Sequence, residues 1–388
     1  MRTPVQEAFL SIIRYEIAGT PLPDGFNVPD MDALLELSEK QDLTHLVYDA
    51  LTRNGIPCSS QKALKQYYAA LWRVEQMDHE FQRMCGLFEE HGIDFIPLKG
   101  SVTRSLYPQR WMRTSADIDL LFRAEQEKEA EELMAAELGY EYAECGDSIA
   151  HGNLFSPVNH IHIEPHRTLF HDLNTNGNYV ELFNDIWNRA QKDPDGRGHK
   201  YKMSDADTYT FIVAHTEKHL HHDGGCSIKS LLDIWLMDRM PGADRNGRAE
   251  MIGRADLTRF ESIMKGLICS WMDGRPAESE SLEQFVLKGE MYTSWSRNIV
   301  LQTKNSGRFR YYLGRVFMPL DEMKLLYPVL NDHPLLLPVM WIKRWTKLTD
   351  KDTMKRVNQE VHVSINADKE ELKEINEISD YLGWNRKE

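Results

Sequence analysis

The sequence predicts an α+β fold in which the strands are confined to the middle of the chain and helices lie on both sides. Three observations carry that reading. Apolar residues recur at three- and four-residue steps over the first ninety or so positions, as in helices with one buried face. Short apolar or alternating runs interrupt the pattern between residues 94 and 164. From Val180 onward the helical spacing returns.

Taken in order, Phe9, Ile12 and Ile13 mark a first helix, and Leu34, Leu35 and Leu37 a second that Asp30 is placed to cap. A long helical pattern then runs from Gln61 to His91, with Leu64, Tyr68, Leu71, Val74, Phe81, Met84 and Leu87 as its stripe and Gly92 as its stop. Asp94 to Leu98 reads as a strand entering a tight turn at Lys99-Gly100-Ser101. A short helix from Val102 should end at Tyr107, because the residue before Pro108 is pushed away from helical geometry.

Asp117 to Phe122 reads as the second strand, and Ala124 to Leu138 as an amphipathic helix that Gly139 stops. Tyr140 to Glu144, Asn153 to Phe155 and the alternating His160 to Glu164 complete the strand candidates. Pro165 has no N–H for a ladder, so the last strand should end there or lie at an edge. Further helices are expected over Asp207 to Leu220, Ser227 to Met240, Glu283 to Tyr292 and Lys369 to Tyr381, with a short strand through Val361, Val363 and Ile365. The implied organisation is an N-terminal helical region (1–85), a core (86–175) and a larger, mainly helical C-terminal region (176–388).

With 388 residues, 41% of them hydrophobic, the chain has enough apolar mass for substantial cores. A net charge of −14 argues against a broadly basic, nucleic-acid-coating surface. Arg308, Arg310, Arg315, Lys343, Arg344 and Lys347 are the positive residues of the C-terminal half that would grip an anionic acceptor, RNA included, if they converge. Cys58, Cys85, Cys145, Cys226 and Cys269 are scattered without a C-x-x-C pair, which suggests neither a disulfide framework nor a cysteine zinc site. Reduced thiols fit a cytoplasmic setting. The Ala8 to Ile13 run is too short for a signal-peptide core, and Pro338 breaks the Leu335 to Ile342 run, so a soluble protein is expected.

The chemistry concentrates at the second strand. Side chains two apart in a strand share a face, so Asp117 and Asp119 project together while Ile118 and Leu120 point the other way. Two ionised carboxylates in one small space need a compensating cation, and hard oxygen ligands favour magnesium. The same period puts His160, His162 and Glu164 on one face; if their strand lies beside the first, Glu164 joins as a third carboxylate. Three carboxylates suffice for two metal ions bridging phosphates, and Glu164 is the best general-base candidate. Gly100 and Ser101 sit where exposed backbone N–H groups and a hydroxyl can cradle phosphate, with Lys99 and Arg113 adding positive charge. Ser115 fits a loop support. His215 and His219 share a helix face, but His-x-Glu-x-His is not the protease arrangement His-Glu-x-x-His.

Strand, Gly100-Ser101, short helix and Asp117-Ile118-Asp119 together resemble the signature of the polymerase-beta-like nucleotidyltransferase superfamily. Within it, Leu98-Lys99-Gly100, Arg113-x-Ser115-x-Asp117-Ile118-Asp119-Leu120-Leu121 and Ile163-Glu164-Pro165-His166 resemble an uncharacterised bacterial nucleotidyltransferase family, over roughly residues 86–170. A weaker likeness extends through His215 to His219, Leu231-Leu-Asp-Ile234 and Tyr327 to Trp341. The resemblance implies a small mixed β-sheet flanked by helices, and transfer of a nucleoside monophosphate from a nucleoside triphosphate, ATP being the expected donor, to an acceptor hydroxyl with Mg2+. It also implies Asp117 and Asp119 as metal ligands with Glu164 as the third carboxylate, and Gly100 and Ser101 as phosphate binders; Lys99, Arg113 and Ser115 are candidates on the nucleotide side from their own charge and position. Here the third acid is Glu where Asp is common, and the interval from Ser101 to Asp117 is long. Two other classes compete: a nucleotide-binding or antitoxin-like partner protein without turnover, and a zinc hydrolase centred on His215 and His219. The acceptor, whether small molecule, peptide, protein or RNA, is not written in the motifs.

Overall fold

The computed structural model describes residues 1–142, 154–170, 178–222, 225–288, 307–327, 329–346 and 369–384. The chain divides into two compact units, one of Met1–Glu144, His151–Glu217 and Cys226–Met291, the other of Cys145–Ala150, Lys218–Gly225 and Tyr292–Glu388. Cys145, Lys347 and the expected strand at Val361 to Ile365 lie outside the described residues.

In the larger unit the chain opens with α1 (Pro4–Ala18), α2 (Met31–Lys40), α3 (Thr44–Arg53) and the long α4 (Gln61–His91). Thr3 and Gln6 close a reciprocal capping box on α1, Asp30 caps α2 by accepting from the Ala33 N–H, and Gly92 ends α4 in the left-handed region at φ 71°. Tyr68 departs from its expected place in the buried stripe of α4 and is 61% exposed. The packed face of α4 is set by Ala63, Ala70, Val74, Met77, Met84, Leu87 and Phe88, which keeps Val74, Met84 and Leu87 of the expected stripe and leaves Tyr68 out.

A five-stranded mixed sheet follows: β1 (Phe95–Pro97), β2 (Asp117–Phe122), β3 (Glu141–Tyr142), β4 (Leu154–Phe155) and β5 (His162–His166), in the order β1-β2-β5-β4-β3. Only β2 and β5 run parallel. The four-residue α5 (Gly100–Thr103) and a 3-10 turn (Arg104–Leu106) leave β1, and Tyr107 is extended at ψ 151°, as its place before Pro108 requires. Helix α6 (Glu127–Leu138) joins β2 to β3. One face of the sheet packs Ile118, Leu120, Phe122, Ile163 and Leu154 against Met77, Met84, Leu87 and Phe88 of α4 and Ala130 and Met134 of α6. The Phe88 ring meets those of Phe95 and Phe122 with centroids 5.3 and 5.1 Å away.

The last strand starts and ends two residues later than the alternation suggests, because His160 adopts φ 54° in the connection between β4 and β5. That connection is closed by the His160 N–H on the Ser156 carbonyl at 2.8 Å and the Ser156 N–H on the Ile161 carbonyl at 2.9 Å. Pro165 neither ends β5 nor puts the strand at the sheet edge. Backbone groups of successive residues face opposite neighbours, and Ile161 faces the β4 side, so Pro165, four residues on, does too. Its missing N–H therefore leaves the β2 ladder intact.

The unit continues with α7 (Tyr179–Asn184), α8 (Ile186–Arg189), a β6 (Gln191–Lys192) and β7 (Tyr201–Lys202) hairpin, α9 (Asp205–His222, in this unit as far as Glu217), α10 (Ile228–Asp238), α11 (Arg245–Arg254), α12 (Thr258–Met272) and α13 (Glu280–Lys288). The N-terminal helices belong with these later ones. Arg14 donates to the Trp271 carbonyl at 2.8 Å, Arg2 pairs with Glu283, and the Gln41 side chain donates to the Val286 carbonyl.

The smaller unit includes α14 (Arg308–Val316), α15 (Leu320–Leu326), α16 (Val329–Asp332), α17 (Leu337–Thr346) and α18 (Lys369–Leu382). Met318, Met323 and Leu330 form its buried centre, and Trp341 and Trp345 tie α17 to the Met318 and Val316 carbonyls. Among the described residues no helix is long and apolar enough to cross a membrane, and Cys58, Cys85, Cys226 and Cys269 are free thiols.

Candidate active site

The period of β2 turns Asp117 and Asp119 away from the helix-covered face that takes Ile118 and Leu120. The parallel ladder then decides which residues join them: Asp117 pairs with His162, Asp119 with Glu164 and Leu121 with His166. Three carboxylates thereby share one face across two strands. His166, two residues beyond Glu164, leans back so that its Nε2 lies 2.9 Å from Asp119 Oδ1 and 3.7 Å from Glu164 Oε2. The ligand atoms of Asp119, Glu164 and His166 fall within 4.8 Å of one another, the one such His, Cys or carboxylate trio among the described residues. Among the described residues, His215 and His219 join no trio of this kind.

Lys99 supplies the local positive charge. Its Nζ sits 2.6 Å from Asp119 Oδ1. Burial alone would raise the proton affinity of Asp119, but Lys99 and the hydrogen bond from His166 outweigh it and hold that carboxyl well below the usual range. Burial followed by repulsion from Asp119 raises Asp117. Burial and then Asp119 and Asp117 push Glu164 up to about 7. Burial works against a charged Lys99, yet the pull of Asp119, Asp117 and Glu164 keeps its ammonium charged well past the ordinary lysine range. Carboxylates whose proton affinities are driven apart in this way mark a site short of positive charge. The donor set within reach of one ion, an aspartate, a glutamate and an imidazole, fits a divalent cation held mainly by hard oxygens, and Asp117 lies on the same strand face without joining that trio.

The elbow before this site is tight. Lys99 has φ 45° and ψ −121°, a conformation that favours glycine, between β1 and α5. The Ser101 N–H is committed to the Leu98 carbonyl at 3.1 Å, and the Leu98 N–H holds the Asp119 carbonyl at 3.1 Å, which fastens the elbow to β2. With four residues, α5 offers little helix dipole to a phosphate, so the Ser101 hydroxyl, half-buried and without a protein partner among the described residues, is the more available group. A Cβ on Gly100 would stand 3.2 Å from Ser115 Oγ, so this position has no room to spare. Ser115 Oγ accepts from Arg104 Nη2 at 2.9 Å, which makes it a support between elbow and loop.

Arg113 is engaged elsewhere. Its Nε and Nη2 grip both oxygens of Asp233 at 2.8 to 3.1 Å, and Tyr107 donates to the same carboxylate at 2.8 Å. Lys229, one turn earlier on α10, pairs with Asp42 and reaches Thr114 Oγ1 at 3.2 Å. These buried contacts hold the stretch from Tyr107 to Thr114 that delivers Asp117 to β2. Arg73 of α4 clasps the strand starts, donating to the carbonyls of Ala116 at 2.8 Å and of Asn159 and His160 at 3.2 to 3.3 Å.

The sequence reading named all three carboxylates but gave His166, Asp233, Lys229 and Arg73 no role in the site. The two-residue period puts His166 on the face of Glu164, so a signal for it existed. Asp233 lies 120 positions from Arg113, and no local pattern announces such a partnership.

No curated protein and no solved structure matches the chain. Residues 27–272, a span holding the whole sheet and the site, match the family described as uncharacterised nucleotidyltransferase, and the chain belongs to that family.

Proposed function

We propose that the protein moves a nucleoside monophosphate from a nucleoside triphosphate to an acceptor hydroxyl, at the face of β2 and β5 that carries Asp117, Asp119 and Glu164. The observation that carries the reading is the pairing of Asp119 with Glu164 in a parallel ladder, with Asp117 two residues earlier on the same face. Family membership supplies the reaction class. The acceptor oxygen forms a bond to the α-phosphorus in line with the leaving group, and the bond from that phosphorus to the bridging oxygen breaks to release pyrophosphate. Asp117, Asp119 and Glu164 would hold magnesium, with His166 beside them; when bound, the metal neutralises phosphate oxygens and stabilises the departing pyrophosphate. Glu164, more exposed than Asp119, takes the acceptor's proton. The Ser101 hydroxyl and the backbone around Gly100 face the phosphates, while Arg113 and Ser115 fix the loop. ATP is the proposed donor.

The test is isothermal titration with ATP, GTP, CTP and UTP in magnesium, followed by transfer assays with α-labelled nucleotide, on the wild type and on Asp119→Asn. Magnesium-dependent binding and turnover that the variant lacks support the reading. Full activity in Asp119→Asn overturns it, and binding without turnover under any acceptor favours the partner-binding alternative.

A further inference from the structure

We propose that Lys99 is the resident counter-ion of the carboxylate site and that it couples the metal to the nucleotide, releasing Asp119 to a divalent cation when triphosphate oxygens can take up its ammonium. The proposal rests on the metal-binding reading of Asp117, Asp119 and Glu164 given above.

Three observations lead to it. Asp119 is the single hydrogen-bond partner of the Lys99 ammonium among the described residues, at 2.6 Å, on the same Oδ1 that accepts from His166. Any cation that ligates this oxygen meets a positive charge already seated there, and like charges at such a separation repel strongly in a buried site. The ammonium also feels Asp117 and Glu164, so it serves the whole trio and not one pair. Finally, the backbone places a lysine, at φ 45° and ψ −121°, where glycine would be unstrained, although Gly100 is the next residue. Strain retained at a position facing reactive groups indicates that the side chain itself is needed there.

The consequence is thermodynamic. With no nucleotide present, a metal ion that displaces the ammonium leaves a lysine poorly compensated in a largely buried site, which weakens metal binding. When a triphosphate sits at the elbow, the flexible four-carbon stem can carry the ammonium from Asp119 to a phosphate oxygen, and the metal then enters without opposition. Linkage requires the effect to be mutual: bound metal frees Lys99 for the triphosphate and tightens its binding by the same factor.

Titration calorimetry with Mn2+ alone, and with inorganic tripolyphosphate at saturating Mn2+, on wild type, Lys99→Met, Lys99→Arg and Asp119→Asn tests this. Lys99→Met should bind Mn2+ at least about tenfold more tightly than wild type, a step of about 1.4 kcal/mol, and bind tripolyphosphate at least about tenfold more weakly. Lys99→Arg, which restores the charge, should return Mn2+ affinity toward the wild-type value. If Lys99→Met does not fold, Lys99→Gln carries the same expectation. Mn2+ binding that is unchanged or weaker in the uncharged variants, with Asp119→Asn abolishing it, overturns the counter-ion role and leaves the metal site standing. Mn2+ binding by none of the four proteins, or equal binding by all, overturns both.

Discussion

Replacing Asp233 should be among the most destabilising single changes in the larger unit, although Asp233 is not one of the proposed metal ligands. Its carboxylate is 1% exposed and accepts from Arg113 through Nε and Nη2 and from the Tyr107 hydroxyl. Asp233→Ala leaves a guanidinium whose side chain is 12% exposed without its counter-charge. Removing one partner of a buried pair costs about 3 to 5 kcal/mol, and the stranded Tyr107 hydroxyl adds about 1 kcal/mol. Arg113→Met strands the carboxylate instead, but Tyr107 still donates to it, so about 2 to 3 kcal/mol is expected. The double variant removes both charges and should be less destabilised than the sum of the singles by at least about 2 kcal/mol. Urea unfolding followed by tryptophan fluorescence at pH 7 gives all four values. A loss below about 1 kcal/mol for Asp233→Ala, or strict additivity, would refute the claim that this pair anchors the loop leading to Asp117.

Two further outcomes follow from buried groups. Burial lowers His45 to about 4, against the opposing pull of Asp42 and with Lys229 adding to the depression. The unfolded chain therefore binds a proton that the folded one refuses, so the contribution of His45 is complete above about pH 6.5 and fades as pH falls toward 4, by about 3 kcal/mol in all and about 2 kcal/mol by pH 5. His45→Gln should flatten that part of the stability profile between pH 7 and 5, and an unchanged slope would count against the assignment. Burial pushes both the Cys85 and Cys226 thiols up to about 12. In the folded protein at pH 8 both should react with a disulfide reagent far more slowly than Cys58, as mass spectrometry of the modified peptides would reveal; equal rates would contradict it.

The elements that repeat a local rule were legible in the sequence. Asp117 to Phe122 is the strand its composition suggests, Gln61 to His91 the helix its spacing suggests, and Gly92 and Gly139 stop helices in the left-handed region. The shared face of Asp117 and Asp119 needs nothing beyond a two-residue period. Their meeting with Glu164 needed a parallel pairing, which no turn sequence encodes, because the two strands are joined through a helix and two further strands. Tyr68 shows the limit of periodicity: a long helix has several candidate stripes, and its neighbours choose among them. His160 shows another, since the alternation ran on into a connection whose backbone turns left-handed. In the sequence Arg113 reads as added positive charge near the phosphates, and its pairing with Asp233, 120 residues away, is invisible to that reading.

Arg73 gives the carboxylate face a dependence on a helix that contributes none of the proposed ligands. Its guanidinium holds the carbonyls of Ala116, the residue before β2, and of His160, two residues before β5, in a single grip. A slip of one residue between the strands would send Glu164 to the side occupied by Ile118 and Leu120. Any such slip must first break this grip, so α4 acts as a template that measures the two strands against each other. The alignment of the carboxylates thus depends in part on α4, a 31-residue helix that carries none of them.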